Sequence, residues 1–307
     1  MTYGKTQTYK HDIHQEITDN IIKLLDEVDF EDYQPPFASL VAQGLPVNPT
    51  TQHRYQGVNI LALWSKQKKL KFSSNQWASF KQWKDHGAQV RKGEKGSRVV
   101  FYKTLVKSQE NENGEQEDQK IPMLRLYTVF NAAQVDGYKD QSAQTPPETD
   151  KVKPMRLVDE FCRKTGADIR TVEDEAYYLP SGDYINMPGS ALFLETPQIS
   201  ATEQYYSTLL HELTHWTGAK KRLDRPGITN RKERAFEELI AELGAAFLCS
   251  QHGLAQTQPK NHAIYIKSWL QALKQDKTHI FKASAQAAKA VEFLNDPTIL
   301  QAKLEPA

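Results

Sequence analysis

Two histidines four residues apart, with a glutamate directly after the first, make up the segment His211-Glu212-Leu213-Thr214-His215. On an α-helix, residues i and i+4 lie about 40° apart around the axis, so both imidazoles face the same way. Two imidazoles one turn apart can attach to a single zinc ion. Glu212 falls on the flank, where it can take a proton from water without ligating the metal. Two surface histidines on an ordinary helix would share this spacing, so the surrounding elements have to decide.

Ser200 and Glu203 have the spacing of a capping box, which starts a helix there. It should run to Thr217, with Gly218 closing it in the left-handed conformation. Tyr206, Leu209, Leu210, Leu213 and Trp216 fall on the side opposite the histidines and should bury the helix. A second helix is expected over Ala235 to Cys249, with Phe236, Ile240, Leu243 and Phe247 as its core stripe. Glu238 and Glu242 share the other face beside Ala241, Ala245 and Ala246, whose small side chains would let the two helices approach. Glu237 points about 100° away and is expected in solvent. Glu238 is the third ligand on this reading and Glu242 orients a histidine from behind; the reverse assignment stays open.

Three protein ligands leave one corner for water, the arrangement of a catalytic zinc site, and another divalent metal would suit the same donors. Zinc lowers the pKa of its water toward ~7, Glu212 takes the proton, and the hydroxide attacks a polarised carbonyl. Tyr184, Ile185 and Asn186, in the strand Asp183 to Met187 ending at Pro188, could form an edge strand for an extended peptide substrate. An ordinary hairpin strand is the other reading. Tyr265 and His262 are the candidates for stabilising the oxyanion.

A second constellation lies upstream. Residues 54–107 carry thirteen basic and two acidic side chains, whereas residues 1–53 carry three basic and eight acidic. The basic stretch is interleaved with aromatic residues. Arg54, Tyr55, Asn59, Trp77, Lys81, Arg91, Lys92, Lys95 and Arg98 are the candidate DNA-binding residues. Cationic groups beside flat rings suit single-stranded nucleic acid, which offers an anionic backbone and stackable bases. The competing reading puts the tryptophans in the core and the lysines on a solvated face.

The pattern of elements is that of an α+β protein in two domains. Helices are expected from Ile13 to Val28 behind an Asp12 cap, from Asn59 to Gln67, and from Ser74 to His86. Tyr33 to Asn48 reads as loop. Strands are expected at Val99–Tyr102 and Leu124–Phe130, joined by an exposed acidic loop over Ser108 to Gln119. Lys139 to Asp150, with a Pro-Pro pair and no apolar period, is the interdomain linker. The division is then residues 1–138, a linker at 139–153, and residues 154–307, the last opening with a helix at Pro154. Cys162 and Cys249 are expected as buried free thiols in a reducing compartment. No run approaches the ~20 apolar residues of a membrane span, and no secretory signal is visible, so a cytoplasmic location is expected.

Several of these segments together resemble the ArdC-type antirestriction proteins of conjugative plasmids, whose N-terminal domain also opens some plasmid primases. The resemblance covers nearly the whole chain. It rests on Arg54-Tyr55-Gln56-Gly57-Val58-Asn59, Trp77 with Phe80-Lys81-Gln82, Val90 to Gly96, and Val129 to Gln134. Further along it rests on Asp183 to Pro188, His211 to Gly218, Arg222-Leu223-Asp224-Arg225, and Glu237 to Phe247. It implies a single-stranded DNA-binding domain, then a mainly helical zincin-like metallopeptidase domain with a small sheet. It also implies protection of incoming plasmid DNA, with host restriction or other defence proteins as possible partners. A non-enzymatic DNA-binding antirestriction protein with a structural zinc is the alternative. Two departures are Pro35-Pro36-Phe37, where the family carries proline and tryptophan, and a longer acidic insert near Glu110 to Asp118.

Overall fold

The computed structural model describes residues 13–26, 44–110, 116–138, 152–193, 200–254, 256 and 263–296. Ile17, Ile21 and Leu25 recur every four residues and are buried, making Ile13–Asp26 an amphipathic helix, α1. Its expected Asp12 cap, the proline-rich stretch to residue 43 and nearly all of the expected linker lie outside the described residues. Helix α2, Val58–Leu70, is tied to the strand beyond it by one side chain. Asn59 donates to the Val100 carbonyl and accepts from the Val100 N–H, each at 2.8 Å.

The helix expected over Ser74 to His86 is cut short. Trp77–Ser79 is a strand, β1, and only Phe80–Asp85 is helical, α3. Ser79 is the reason: its hydroxyl accepts from the Gln82 N–H while the Gln82 side chain accepts from the Ser79 N–H, a closed capping box. The residues before it are claimed by β4, Gln116–Asn131, which pairs antiparallel with β1 on one side. On its other side lies β3, Ser97–Glu110, so the sheet order is β1-β4-β3. The short strands β2, Gln89–Val90, and β5, Val135–Asp136, pair separately.

The expected acidic loop is also shorter than its composition suggested. The ladder set at Ser97↔Val129 continues without a slip to Glu110↔Gln116. The ladder is made by backbone groups and not by side chains, so composition misplaced the strand ends.

The C-terminal half begins with helix α4, Val152–Lys164, two residues ahead of the expected start. Three short strands follow: β6, Asp168–Arg170; β7, Tyr177–Leu179; and β8, Tyr184–Asn186. Four helices complete it: α5, Ala201–Trp216; α6, Arg231–His252; α7, Ala263–Gln275; and α8, His279–Asn295.

One hydrophobic core runs through both halves. Ile17, Ile21 and Leu25 of α1 and Leu61 and Trp64 of α2 join Leu239, Phe247, Trp269, Leu273 and Phe293 in the same buried cluster. The Thr18 hydroxyl donates to the Lys277 carbonyl at 2.8 Å, and the Trp64 and Phe247 rings lie 6.1 Å apart. Cys162 and Cys249 are free and buried, and burial pushes both thiols up to about 12, which makes them poor nucleophiles. No helix among the described residues is long and apolar enough to cross a membrane.

Candidate metal centre and nucleic-acid face

Helix α5 begins at Ser200, whose hydroxyl accepts from the Glu203 N–H while the Glu203 carboxylate accepts from the Ser200 N–H. Tyr206, Leu209, Leu210, Leu213 and Trp216 are buried against the core, which turns His211 and His215 toward α6. The two helices come close because Gly244 faces Thr214: a Cβ at that glycine would sit 2.5 Å from Thr214 Cγ2.

This approach brings three ligand-type groups together. The Nε2 atoms of His211 and His215 are 3.1 Å apart, and Glu238 Oε2 lies 3.5 Å from the first and 3.6 Å from the second. One ligand atom from each of these residues lies within 4.8 Å of the others, the geometry of a metal-site cluster. Glu238 Oε2 is buried and has no hydrogen-bond partner. A buried carboxylate oxygen without a donor carries a desolvation cost of several kcal/mol, unless a cation meets it. The residues therefore fit a divalent cation held by two imidazole nitrogens and a carboxylate oxygen. Burial alone would raise the Glu238 pKa, but the His211 and His215 imidazoles outweigh it and hold the carboxyl well below the usual range. Glu212 is buried next to His211 on the same helix.

Glu237, expected in solvent, is instead drawn inside. Its Oε1 lies 3.1 Å from His215 Nδ1, and it receives Arg225 Nε at 3.0 Å and Arg225 Nη2 at 2.6 Å. Arg225 also donates to the Thr217 hydroxyl and the Thr214 carbonyl, both at 2.7 Å. Glu237 thus orients His215 from behind, the role assigned in sequence to Glu242. Burial works against charge on His215, yet Glu237 and Glu238 raise its pKa well above the ordinary imidazole value. Glu242 is fully buried and accepts from Gln256 Nε2 at 3.2 Å.

Gly218 likewise has a different role from the one expected. It is absent from the left-handed glycines, and a Cβ there would meet Arg225 Nη2 at 2.7 Å. The glycine admits the arginine. Arg225 was visible in the sequence only as part of a motif. The need of a ligating histidine for an acceptor on its second nitrogen points to Glu237, and Arg225 is the donor that holds that carboxylate in place.

The Tyr184–Asn186 strand is not an edge. In the sheet order β6-β8-β7 it is central, parallel to β6 and antiparallel to β7, so its backbone is occupied on both sides. Asn186 is fully buried: it accepts from the Val172 and Glu173 N–H groups and donates to the Glu173 and Glu175 carbonyls. It pins a loop and cannot read substrate. Tyr265 and His262 lie outside the described side chains.

The turn before β8 anchors a second buried arginine. Asp183, at φ 50°, pairs with Arg222, which is buried, donates to the Trp216 carbonyl at 2.5 Å and stacks 3.8 Å over the Trp216 ring. Burial would raise the Asp183 pKa; hydrogen bonds from Arg222, Lys221 and Tyr178 outweigh it and hold the carboxyl well below the usual carboxylate range. A group depressed in the fold stabilises above its unfolded pKa of about 3.9, and that stability is lost as the pH falls below it. Asp183→Asn, which keeps shape and tolerates positive φ, is expected to cost about 3 kcal/mol at pH 7. The difference from wild type should shrink as the pH falls through about 4, measured by denaturant titration at each pH.

The nucleic-acid candidates divide into three groups. Arg54 and Lys81 are exposed and line a cleft of about 1320 Å³, whose wall includes Phe101, Arg125 and Tyr127. Arg91 and Lys92 border a separate, shallower hollow beside Phe80 and Phe130, while Lys95 is exposed and Arg98 half-buried. Arg91 is already engaged by Glu94 at 2.8 Å and by the Ala133 carbonyl. Tyr55, Asn59 and Trp77 are structural. The Tyr55 hydroxyl donates to the Trp77 carbonyl, and Trp77 is fully buried against Phe72. Trp77 cannot stack on a base; the half-exposed rings of Phe101 and Tyr127, missed in the sequence, can.

Comparison with known proteins agrees with this geometry. Residues 11–130 match the model of the N-terminal domain of anti-restriction factor ArdC, and residues 156–286 match a zincin-like metallopeptidase model. An uncharacterized Sinorhizobium fredii protein, y4eC, is 36% identical over 304 residues, covering 96% of this chain and 95% of its own length. The Escherichia coli DNA primase TraC is 32% identical over 308 residues, 93% of this chain but only 27% of the primase. The metal-free crystal structure of the antirestriction ArdC protein from plasmid R388 is 41% identical, with TM-score 0.75, and covers 93% of this chain and 97% of that one. Its Mn(II)-bound form is 40% identical, with TM-score 0.73, 95% of this chain and 98% of that one. The chain belongs to the ArdC-type antirestriction family, with an ArdC N-terminal domain followed by a zincin-like metallopeptidase domain.

Proposed function

We propose that this protein is a metal-dependent peptidase that binds single-stranded DNA and protects incoming plasmid DNA from host restriction. The buried, unsatisfied Glu238 oxygen facing two imidazoles carries the peptidase reading. His211, His215 and Glu238 are the proposed ligands. Two nitrogens and one oxygen would suit zinc, and the Mn(II)-bound relative supports a divalent ion more broadly. A cation held there supplies Lewis acidity toward water and a substrate carbonyl. Glu212 takes the proton of the attacking water and delivers it to the leaving amine. Glu237, fixed by Arg225, keeps His215 in the tautomer that presents Nε2 to the site. A host restriction or other defence protein is the proposed peptide substrate.

Residues 1–138 and 154–307 are proposed as the DNA-binding and peptidase units, working on a shared core. Purified protein incubated with Zn(II) or Mn(II) and dialysed should retain about one ion per chain, and His211→Ala should retain almost none. Stoichiometric metal in that variant would overturn the ligand assignment. Survival of transferred DNA in a restricting host, scored for wild type and His211→Ala, then asks whether the metal is needed for protection.

A further inference from the structure

The cleft that holds Arg54 and Lys81 has a second wall, supplied by the other half of the chain. Thr278 and helix α8 close it, presenting Lys282, Ala285, Lys289 and Glu292. These helix positions are spaced three, four and three apart, so they form one stripe. Lys282 and Lys289 are exposed and lie about 10 Å apart along the axis. Ala285 and Ala288 between them are small and leave the space open.

Facing this stripe are the two exposed rings of the long hairpin. Phe101 and Tyr127 are 47% and 44% exposed and meet edge to face at 5.3 Å. Arg125 pairs in register with Phe101. Exposed aromatic rings beside cations match what a single strand presents, stackable bases on an anionic backbone. Among the described residues, five cationic side chains line the cleft (Arg54, Lys81, Arg125, Lys282 and Lys289), against the carboxylate of Glu292. Lys282 also reaches Asp276 at 3.0 Å, an exposed pair that a phosphate could replace.

We infer that single-stranded DNA runs through this cleft between the halves, its bases on Phe101 and Tyr127 and its phosphates shared by the N-terminal arginines and the Lys282–Lys289 stripe of α8. The inference deepens the single-stranded DNA reading and rests on it. It places part of the DNA site on the peptidase half, so a bound strand would bridge both parts of the shared core.

The test is fluorescence anisotropy with a labelled oligo-dT at several salt concentrations, using the full chain. The Lys282→Ala/Lys289→Ala double variant should bind about tenfold more weakly. Its log–log salt slope should be shallower by about 1.4, the loss of two phosphate contacts on a single strand. Ala285→Glu, which leaves every cation in place but puts a carboxylate in the path, should weaken binding as well. Phe101→Ala should weaken binding about fivefold or more through lost stacking. All variants change exposed side chains, and an unchanged melting midpoint verifies folding. Wild-type affinity and slope in the α8 variants, with weakening only in Lys92→Ala/Lys95→Ala, would overturn the inference while leaving DNA binding intact. A wild-type chain that ignores the oligonucleotide would instead sink the DNA reading itself.

Discussion

Glu212→Gln is expected to cut peptide hydrolysis by about 10²–10⁴-fold while the protein keeps one metal ion per chain. The substitution preserves size and removes only the ability to accept a proton. Glu212 is buried on the flank of α5, and the metal-site cluster is built without it from His211, His215 and Glu238. Metal content and activity should therefore separate. The measurement pairs elemental analysis after dialysis with turnover of an unstructured protein substrate. Loss of metal along with activity would make Glu212 a ligand and dismantle the proposed roles. If protection of transferred DNA is undiminished in this variant, proteolysis is not what protects it.

The three neighbouring glutamates of α6 should respond in a graded way. Glu238→Gln should weaken metal binding by more than about 100-fold, because it replaces the carboxylate oxygen that faces both Nε2 atoms. Glu237→Gln should weaken it by about 10–100-fold, the range for groups that orient a ligand rather than supply one. Glu237 touches the far nitrogen of His215 and is held by Arg225, so losing its charge loosens the imidazole and leaves a buried guanidinium without its counter-charge. Glu242→Gln should retain stoichiometric metal, since Glu238 and not Glu242 supplies the carboxylate oxygen of the metal-site cluster. Competition titrations against a chelator would rank the three. A ranking with Glu242 first would reverse the assignment of ligand and support on this helix.

The sequence alone carried the periodic and local features. Ser200 and Glu203 encode their own capping box, and the apolar positions from Tyr206 to Trp216 fix which way α5 faces, so the outward pair His211 and His215 follows from helical geometry. Glu238 was reachable by the same reasoning because its helix also has a clear core stripe. The burial of the two cysteines was legible too, since each sits on an apolar helix face.

Other features depended on partners distant in sequence. Periodicity could not tell that β8 would be flanked on both sides, because strand order in a sheet is set by what packs against what. It could not separate a base-stacking Trp77 from a core Trp77, since the same ring suits both until its neighbours are placed. Glu237 looked solvent-facing on its own helix, and only the Arg225 loop, folded over Gly218, turned that position into a buried, charge-paired one. Helical and strand periods are written into consecutive residues. Pairings such as Glu237 with Arg225, or α8 with the Phe101–Tyr127 hairpin, join segments from 12 to more than 150 positions apart, and only the packing of the shared core brings them into contact.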